Sequence, residues 1–529
     1  MATRLTAFAK FFITLLILGA IAGIGYVVLN KTSLGTSIKK KADEAKQQTE
    51  TEKTEEPKTG FNDDDKTIVV QLVSWGGYGP GLYFNEGAEP NTNSRFYKDY
   101  GFKVRFVLEN DLINAMNAWI ADEYDVAVQT ADAFPLYTGP ADINTYKPKA
   151  FMQVDWSRGG DAIIVKRGIN SVNDLKGKKV VVAVPSPAQT LLLTALEAAG
   201  LKYSDIEVVK TSDNITAAQI FKSGDVDAAV VWSPDDQLAT KDVPGSKILL
   251  TTKSESHVIA DIFFAKESYL NAHREMMAQF YEGWMKGVAE LKSNASNKEK
   301  AARYLADLNK LGVEDAMGMT EVVYWTNHGD NLNFFGLNPQ YKGQKGEDLY
   351  TKMSKNFVMT GDAEKEAPSW RTAIWTSAIQ DASPKLTGPA YASEAGKTFT
   401  APTAADISAP AIANKPVSIN FASGKFQLDE NSKTIIDLQF ADISKSFANS
   451  RVRIEGNTDN VGSKQTNQVL SQKRAQAVAD YLATQYKIDR NRFIIIGNGP
   501  EKPVAGCEQN QDEACKAKNR RTDFVLVGD

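Results

Sequence analysis

"VVVAVPSPAQTLLLTALEAAG", Val180–Gly200, reads as a buried strand that runs straight into a helix. Val180–Val184 is a short, unbroken apolar run, the pattern of a strand covered on both faces. Ser186 then stands at the helix N-cap and Pro187 at its first position, which is strong helix-start chemistry. A strand joined to a helix in this way is half of a crossover unit, and the neighbouring chain supplies the rest. "TIVVQLVSW" (67–75), "DVAVQTADAF" (125–134), "DAIIVKRG" (161–168), "IEVVKT" (206–211) and "VDAAVVWSP" (226–234) read as strands. "NITAAQIFKSG" (214–224) and the later "REMMAQFYEGWMKGVAELKSN" (274–294) read as helices. Alternation of this kind predicts an α/β sheet with crossover connections.

The same strand–helix junction predicts chemistry. Free N–H groups at Ala188–Thr190, at the positive end of the helix dipole, make an anion site at the strand's C-terminal edge. The first strand ends in "SWGGYGPGL" (74–82), where glycines let the backbone approach a ligand and Trp75 and Tyr78 can wall a pocket. "VDWSRGGDAIIV" (154–165) sets Asp155, Ser157 and Arg158 before two glycines, and "DVDAAVVWSPDD" (225–236) closes a strand at Trp232. A plain turn, a capped helix and a surface salt bridge at Arg158 are the structural alternatives. Together with "INSVNDLKGKKVVVAVPSPAQTLLLTALEAAGL", these segments resemble the type II periplasmic solute-binding proteins of the nitrate, taurine and aliphatic-sulfonate group, which serve ABC transporters. The resemblance covers most of 67–265 and extends loosely to about 383. It implies two α/β lobes, with hinges near Asp155–Ser157 and Thr251–Asp261. A small solute, often an oxyanion, would be held between the lobes without catalysis or a cofactor. The candidate solute residues are Ser74, Trp75, Tyr78, Ser157, Ser186, Gln189 and Trp232. An enzymatic relative of the fold carries a cysteine-rich motif, and no cysteine precedes Cys507 here.

Near the C-terminus, "EGNTDNVGSKQTNQVLSQKRAQAVADYL" (455–482) predicts a second helix from Gly462 onward, with an apolar stripe of Leu470, Ala477, Val478, Tyr481 and Leu482. Arg474 falls on or beside that stripe. A buried guanidinium needs an anion, and a structural salt bridge to Asp459 would supply one. The surrounding residues, with "DRNRFIIIGNGPEKPVAG" and "KNRRTDFVLV", resemble the OmpA-like peptidoglycan-binding domain over about 417–527. The resemblance implies a zwitterionic ligand, the diaminopimelate of the stem peptide. Asp459 would take its ammonium and Arg474 its carboxylate, through a planar fork that matches the two oxygens. Asn467 would add a hydrogen bond and Leu428 would line the pocket. Arg520 and Arg521 match family positions of structural character, and Asn457 replaces the histidine of many relatives.

The rest of the chain is organised around these two modules. Phe11–Leu29 carries no charge and is long enough to span a bilayer, which takes about 20 residues. It predicts a single-pass inner-membrane anchor (1–30), with a cleaved signal peptide ending near Ala20–Ala22 as the alternative. Flanking charge leaves the orientation open, since Arg4 and Lys10 precede the span and Lys31 and Lys39–Lys41 follow it. Residues 31–65 are polar and read as a disordered stalk. The solute-binding-like domain is placed at 66–383, an Ala/Pro/Thr/Ser-rich linker at 384–415, and the OmpA-like βαβαββ sandwich at 416–529. The fold class is therefore α/β and α+β multidomain. A net charge of −4, from 61 basic and 65 acidic residues, gives no sign of a nucleic-acid partner. Cys507 and Cys515 are read as a disulfide in an oxidising periplasm, against two free thiols. No metal site is expected, since the only histidines are His257, His273 and His328. The expected partners are peptidoglycan, a small solute, the inner membrane and an ABC permease or envelope complex. The competing picture is a wall-anchored scaffold whose solute-binding fold holds nothing.

Overall fold

Apolar runs of β-branched residues build three sheets. The computed structural model describes residues 66–528 apart from Pro185, Asn420, Ala422 and Ser423. The expected anchor (1–30) and stalk (31–65) lie outside the described residues. Among the described residues, no helix is long and apolar enough to cross a membrane.

The first lobe begins with β1 (Thr67–Leu72), β2 (Lys103–Leu108), β3 (Val126–Thr130) and β4 (Pro148–Ser157). The second lobe holds β5 (Asp161–Val165), β6 (Lys179–Ala183), β7 (Glu207–Thr211), β8 (Ala228–Trp232) and β9 (Lys247–Thr251). The chain then returns to the first lobe through β10 (Ala260–Lys266) and β11 (Val323–Trp325). The first sheet runs β11-β4-β10-β3-β1-β2, and the second runs β7-β6-β8-β5-β9. β1 lies parallel to β2 and β3, and β6 lies parallel to β7 and β8, as crossover helices require. The chain passes between the lobes at Ser157–Asp161 and at Thr251–Ala260, where the two hinges were expected.

Buried helices fill the first lobe. On the helix Arg274–Ser293, Trp284 meets Phe263 of β10 edge to face, with centroids 5.0 Å apart. In the second lobe the helix Pro187–Ala198 is buried along nearly its whole length. Leu191, Leu192 and Leu196 supply its apolar body.

The C-terminal domain contains β12 (Ala411–Val417), β13 (Arg451–Asn457), β14 (Phe493–Gly499) and β15 (Thr522–Val527), in the order β12-β15-β13-β14. Its long helices are Glu430–Ser446 and Lys464–Tyr486. Phe440 of the first stacks on Phe524 of β15 at 4.3 Å. Two expectations change here. The first strand starts at Ala411, inside the expected linker, rather than at Val417. Pro416 is tolerated because β12 is an edge strand, paired only with β15. The βαβαββ order also gains a short helix, Glu513–Asn519, between the last two strands. Asp512 caps it by accepting from the Cys515 N–H at 2.7 Å. Cys507 and Cys515 are disulfide-bonded.

The remainder of the expected linker is docked against the two domains. Glu394 receives hydrogen bonds from Arg158 at 3.1 and 2.8 Å, and the Phe399 N–H donates to Asp489 at 3.0 Å. Beyond it, the C-terminal domain shares a core with the second lobe. Ile436, Phe440 and Ile443 belong to the same hydrophobic cluster as Leu191, Leu192 and Leu196.

Candidate functional site

Two places gather polar side chains that a packed core would not need. The first is the end of β13 and the start of the helix Lys464–Tyr486. The buried stripe of that helix is Asn467, Ser471, Arg474, Ala475, Val478, Ala479 and Leu482, so Leu470 and Ala477 flank it rather than lie on it. Arg474 is 7% exposed. Its Nε donates to the Lys425 carbonyl at 3.1 Å, and its guanidinium lies 4.8 Å from the centre of the Phe421 ring. Among the described residues it forms no ion pair. Burial lowers its pKa from the ordinary arginine value, while Asp459 acts in the opposite direction.

Asp459 faces the same place but is held by other groups. One carboxylate oxygen accepts from Arg520 Nη1 at 2.7 Å and the other from the Val461 N–H at 3.0 Å. Asn467 donates to the Val461 carbonyl at 3.0 Å and fixes the same turn. The structural salt bridge weighed between Asp459 and Arg474 is therefore absent among the described residues, because Arg520 fills that role. Arg520 was expected to serve structural packing and hydrogen bonding, and its hydrogen bond goes to Asp459. Arg521 does pair structurally, with both oxygens of Asp523 at 2.9 and 3.0 Å. Asn457 is buried in the same network, donating to Asp523 at 3.1 Å. Leu428 is half-buried against the shared core. Phe421 and Lys425, which contact Arg474, were missed. The signal was the aromatic pair flanking the glycine turn in "FASGKF".

The second place is the cleft between the lobes, where four buried carboxylates lie near one another. Trp75 Nε1 donates to Asp155 at 3.2 and 3.3 Å, and Tyr78 donates to Asp261 at 2.6 Å. Ser157 donates to Asp161 at 2.7 Å. Thr190, in the first turn of the helix Pro187–Ala198, donates to Asp132 at 2.7 Å. Asp132 comes from the opposite lobe and meets the Thr190 hydroxyl, whereas the N–H groups of Ala188 and Gln189 are turned to Ser186. Two glycines permit the close fit. A Cβ on Gly77 would lie 1.6 Å from Asp155 Oδ2, and one on Gly160 would lie 2.1 Å from the Trp75 ring.

Burial raises all four carboxyl pKa values. Asp132 is pushed up to about 6, while Asp161 and Asp261 are pushed up to about 7. Asp155 rises well above the usual carboxylate range, with the neighbouring Asp261 adding to the effect of burial.

The other expected solute residues fall around the cleft. Ser186 caps its helix, accepting from the Ala188 N–H at 3.2 Å and donating to the Ala183 carbonyl at 2.9 Å. Gln189 is fully buried and donates to Asp362 of the helical return at 2.7 Å. Ser74 lies exposed at the rim, paired with Asn110, and Trp232 is 38% exposed. Arg158 is held by Glu394 and supplies no cation to the cleft. An oxyanion would therefore meet carboxylates whose hydrogen-bond donors are already committed.

Two α/β lobes with a cleft between them, followed by a sheet-and-helix domain carrying a buried arginine, define a two-module protein. Residues 420–518 match the OmpA family, and residues 92–297 match the NMT1/THI5 like family. The chain is 31% identical over 159 residues to outer membrane protein A of Bordetella avium, covering 30% of this chain and 75% of that protein. It is 35% identical over 107 residues to outer membrane porin F of Pseudomonas aeruginosa, covering 20% of this chain and 29% of the porin. It thus spans under a third of that porin's length. The crystal structure of the periplasmic aliphatic sulphonate binding protein of Escherichia coli is similar, with a TM-score of 0.45 and 18% identity. That match covers 64% of this chain and 97% of that one. The chain belongs to the OmpA family, and it carries an NMT1/THI5 like domain ahead of its OmpA domain.

Proposed function

We propose that this is an envelope protein of the periplasm that binds peptidoglycan through its C-terminal domain and a small solute between the lobes of its central domain. The N-terminal segment would hold it in the inner membrane, and solute capture would serve transport or sensing, with an ABC permease or envelope complex as partner. The observation that carries the wall-binding reading is Arg474, a buried guanidinium with no carboxylate among its described partners, beside an Asp459 already oriented by Arg520. A carboxylate of the stem peptide would complete the arginine fork, and the adjacent ammonium would lie against Asp459. The role is one of binding, without catalysis.

Pull-down with purified peptidoglycan tests this. Binding by the native chain and its loss in both Arg474→Ala and Asp459→Ala would support it. Retained binding in both variants would remove these residues from the site.

The alternative is a wall-anchored scaffold with no small ligand. It is favoured by one feature, the satisfaction of the cleft donors Trp75, Tyr78, Ser157 and Thr190 by the protein's own carboxylates.

A further inference from the structure

The cleft residues carry the solute reading further, because their charge inventory is one-sided. Asp132 and Asp155 come from the first lobe, Asp161 from the second, and Asp261 from the returning strand β10. All four are at most 8% exposed. Among the described residues none of them forms an ion pair. The groups that bond them are an indole, a phenol and two hydroxyls, all neutral.

An independent feature shows that the acceptors exceed the donors. Asp132 is fully buried, and its Oδ1 accepts no hydrogen bond among the described residues. Its charge raises the pKa of both Asp161 and Asp261, as expected of a neighbour. Asp236, at 3% exposure, also has an unpartnered Oδ1 and acts on Asp161. Buried carboxylate oxygens left without donors are costly and call for one.

We propose that the interlobe cleft takes a small organic ammonium ion, held by Asp132, Asp155, Asp161 and Asp261, with Trp75 beside Asp155. This inference rests on the solute-binding reading and replaces only the class of ligand. A metal ion is the other cation to consider. Among the described residues, however, no three His, Cys, Asp or Glu side chains converge closely enough to hold one. An ammonium group suits carboxylates that do not converge on one point, since its N–H donors or methyl groups point in several directions. The close approach at Gly77 and Gly160 favours a small ion over a long polyamine.

Thermal-shift measurements on the full-length chain provide the test, with choline, ethanolamine and putrescine as cationic probes and methanesulfonate, nitrate and phosphate as anionic ones. A saturating ammonium probe is expected to raise Tm by about 2–5 °C, with no response to the anions. Asp155→Asn and Asp132→Asn should each abolish the shift. A cooperative unfolding transition of each variant without probe serves as the check on folding, and Asp261→Asn provides a further variant. A shift with an anion but with no ammonium probe would overturn the cation assignment and leave solute binding standing. No shift with either set would overturn both. An ammonium shift that survives in all three folded variants would overturn the site.

Discussion

The side-chain amide of Asn173, in the second lobe, closes two hydrogen bonds on the backbone of Asn414 in β12. Its Oδ1 accepts from the Asn414 N–H, and its Nδ2 donates to the Asn414 carbonyl, both at 2.8 Å. An asparagine used in this way pairs with an edge strand much as another strand would. It pins the wall domain to the lobe whose core that domain also shares.

Replacing Asn173 with Ala should therefore destabilise more than the site it occupies. The loss of these two bonds, and of the one its Nδ2 donates to the Ala199 carbonyl at 2.9 Å, costs about 1–3 kcal/mol at this half-buried junction. Calorimetry of the native chain should show the second lobe and the C-terminal domain unfolding together. Asn173→Ala should lower that transition or split it. Two well-separated transitions in the native chain would refute the shared core.

At the wall site, Arg520 and Arg474 should behave differently. Arg474→Lys should not restore binding, because a point charge cannot present the two-donor fork. Arg520→Ala should weaken peptidoglycan binding several-fold without abolishing it, since it orients Asp459 rather than meeting the ligand. Titration of a fluorescent stem peptide against the three forms separates these outcomes. Equal loss in Arg520→Ala and Arg474→Ala would place Arg520 in direct contact.

Much of this architecture was legible because it follows local rules. Ser186 and Pro187 announced their helix, the valine runs announced β6 and β8, and helical spacing placed Arg474 on a buried face. What sequence reading missed depends on contacts distant in the chain. Arg520 lies 61 residues from Asp459, and nothing in "KNRRTD" marks which arginine reaches that carboxylate. Asp132 follows β3 without a motif, and its partner Thr190 is 58 residues away on the other lobe. The linker was misjudged for a related reason. Its composition resembles a tether, but Glu394 and Phe399 are fixed by Arg158 and Asp489, which composition cannot reveal.

The disulfide should stabilise the C-terminal domain by constraining a short loop. Chain-entropy reasoning for a closure of eight residues gives about 2–3 kcal/mol. Both cysteines are buried, at 4% and 6% exposure, so a Cys507→Ser, Cys515→Ser double variant also loses packing. Denaturant unfolding with and without reductant should show the same loss in the native chain and no reductant effect in the double variant.

The cleft carboxylates give stability a definite dependence on pH. Burial raises Asp161 and Asp261 to about 7 and Asp132 to about 6, whereas an unfolded aspartate titrates near 3.9. Between these values the folded chain binds more protons than the unfolded one, so stability falls as pH rises. The contribution is fully present below about pH 4 and is lost as pH passes through 6 to 7. Asp161 is faced by Asp132, Asp236 and Asp261, all acidic, so neighbouring charge acts in the same direction as burial. Asp161→Asn keeps an acceptor for the Ser157 hydroxyl but removes the titration. The native chain should therefore lose on the order of a few kcal/mol relative to Asp161→Asn between pH 5 and pH 8. Chemical denaturation of both forms at the two pH values measures the difference, which cancels contributions from His257 and other groups common to both. A difference that is zero, or that favours the native chain at pH 8, would show that Asp161 is ionised in the folded cleft at neutral pH.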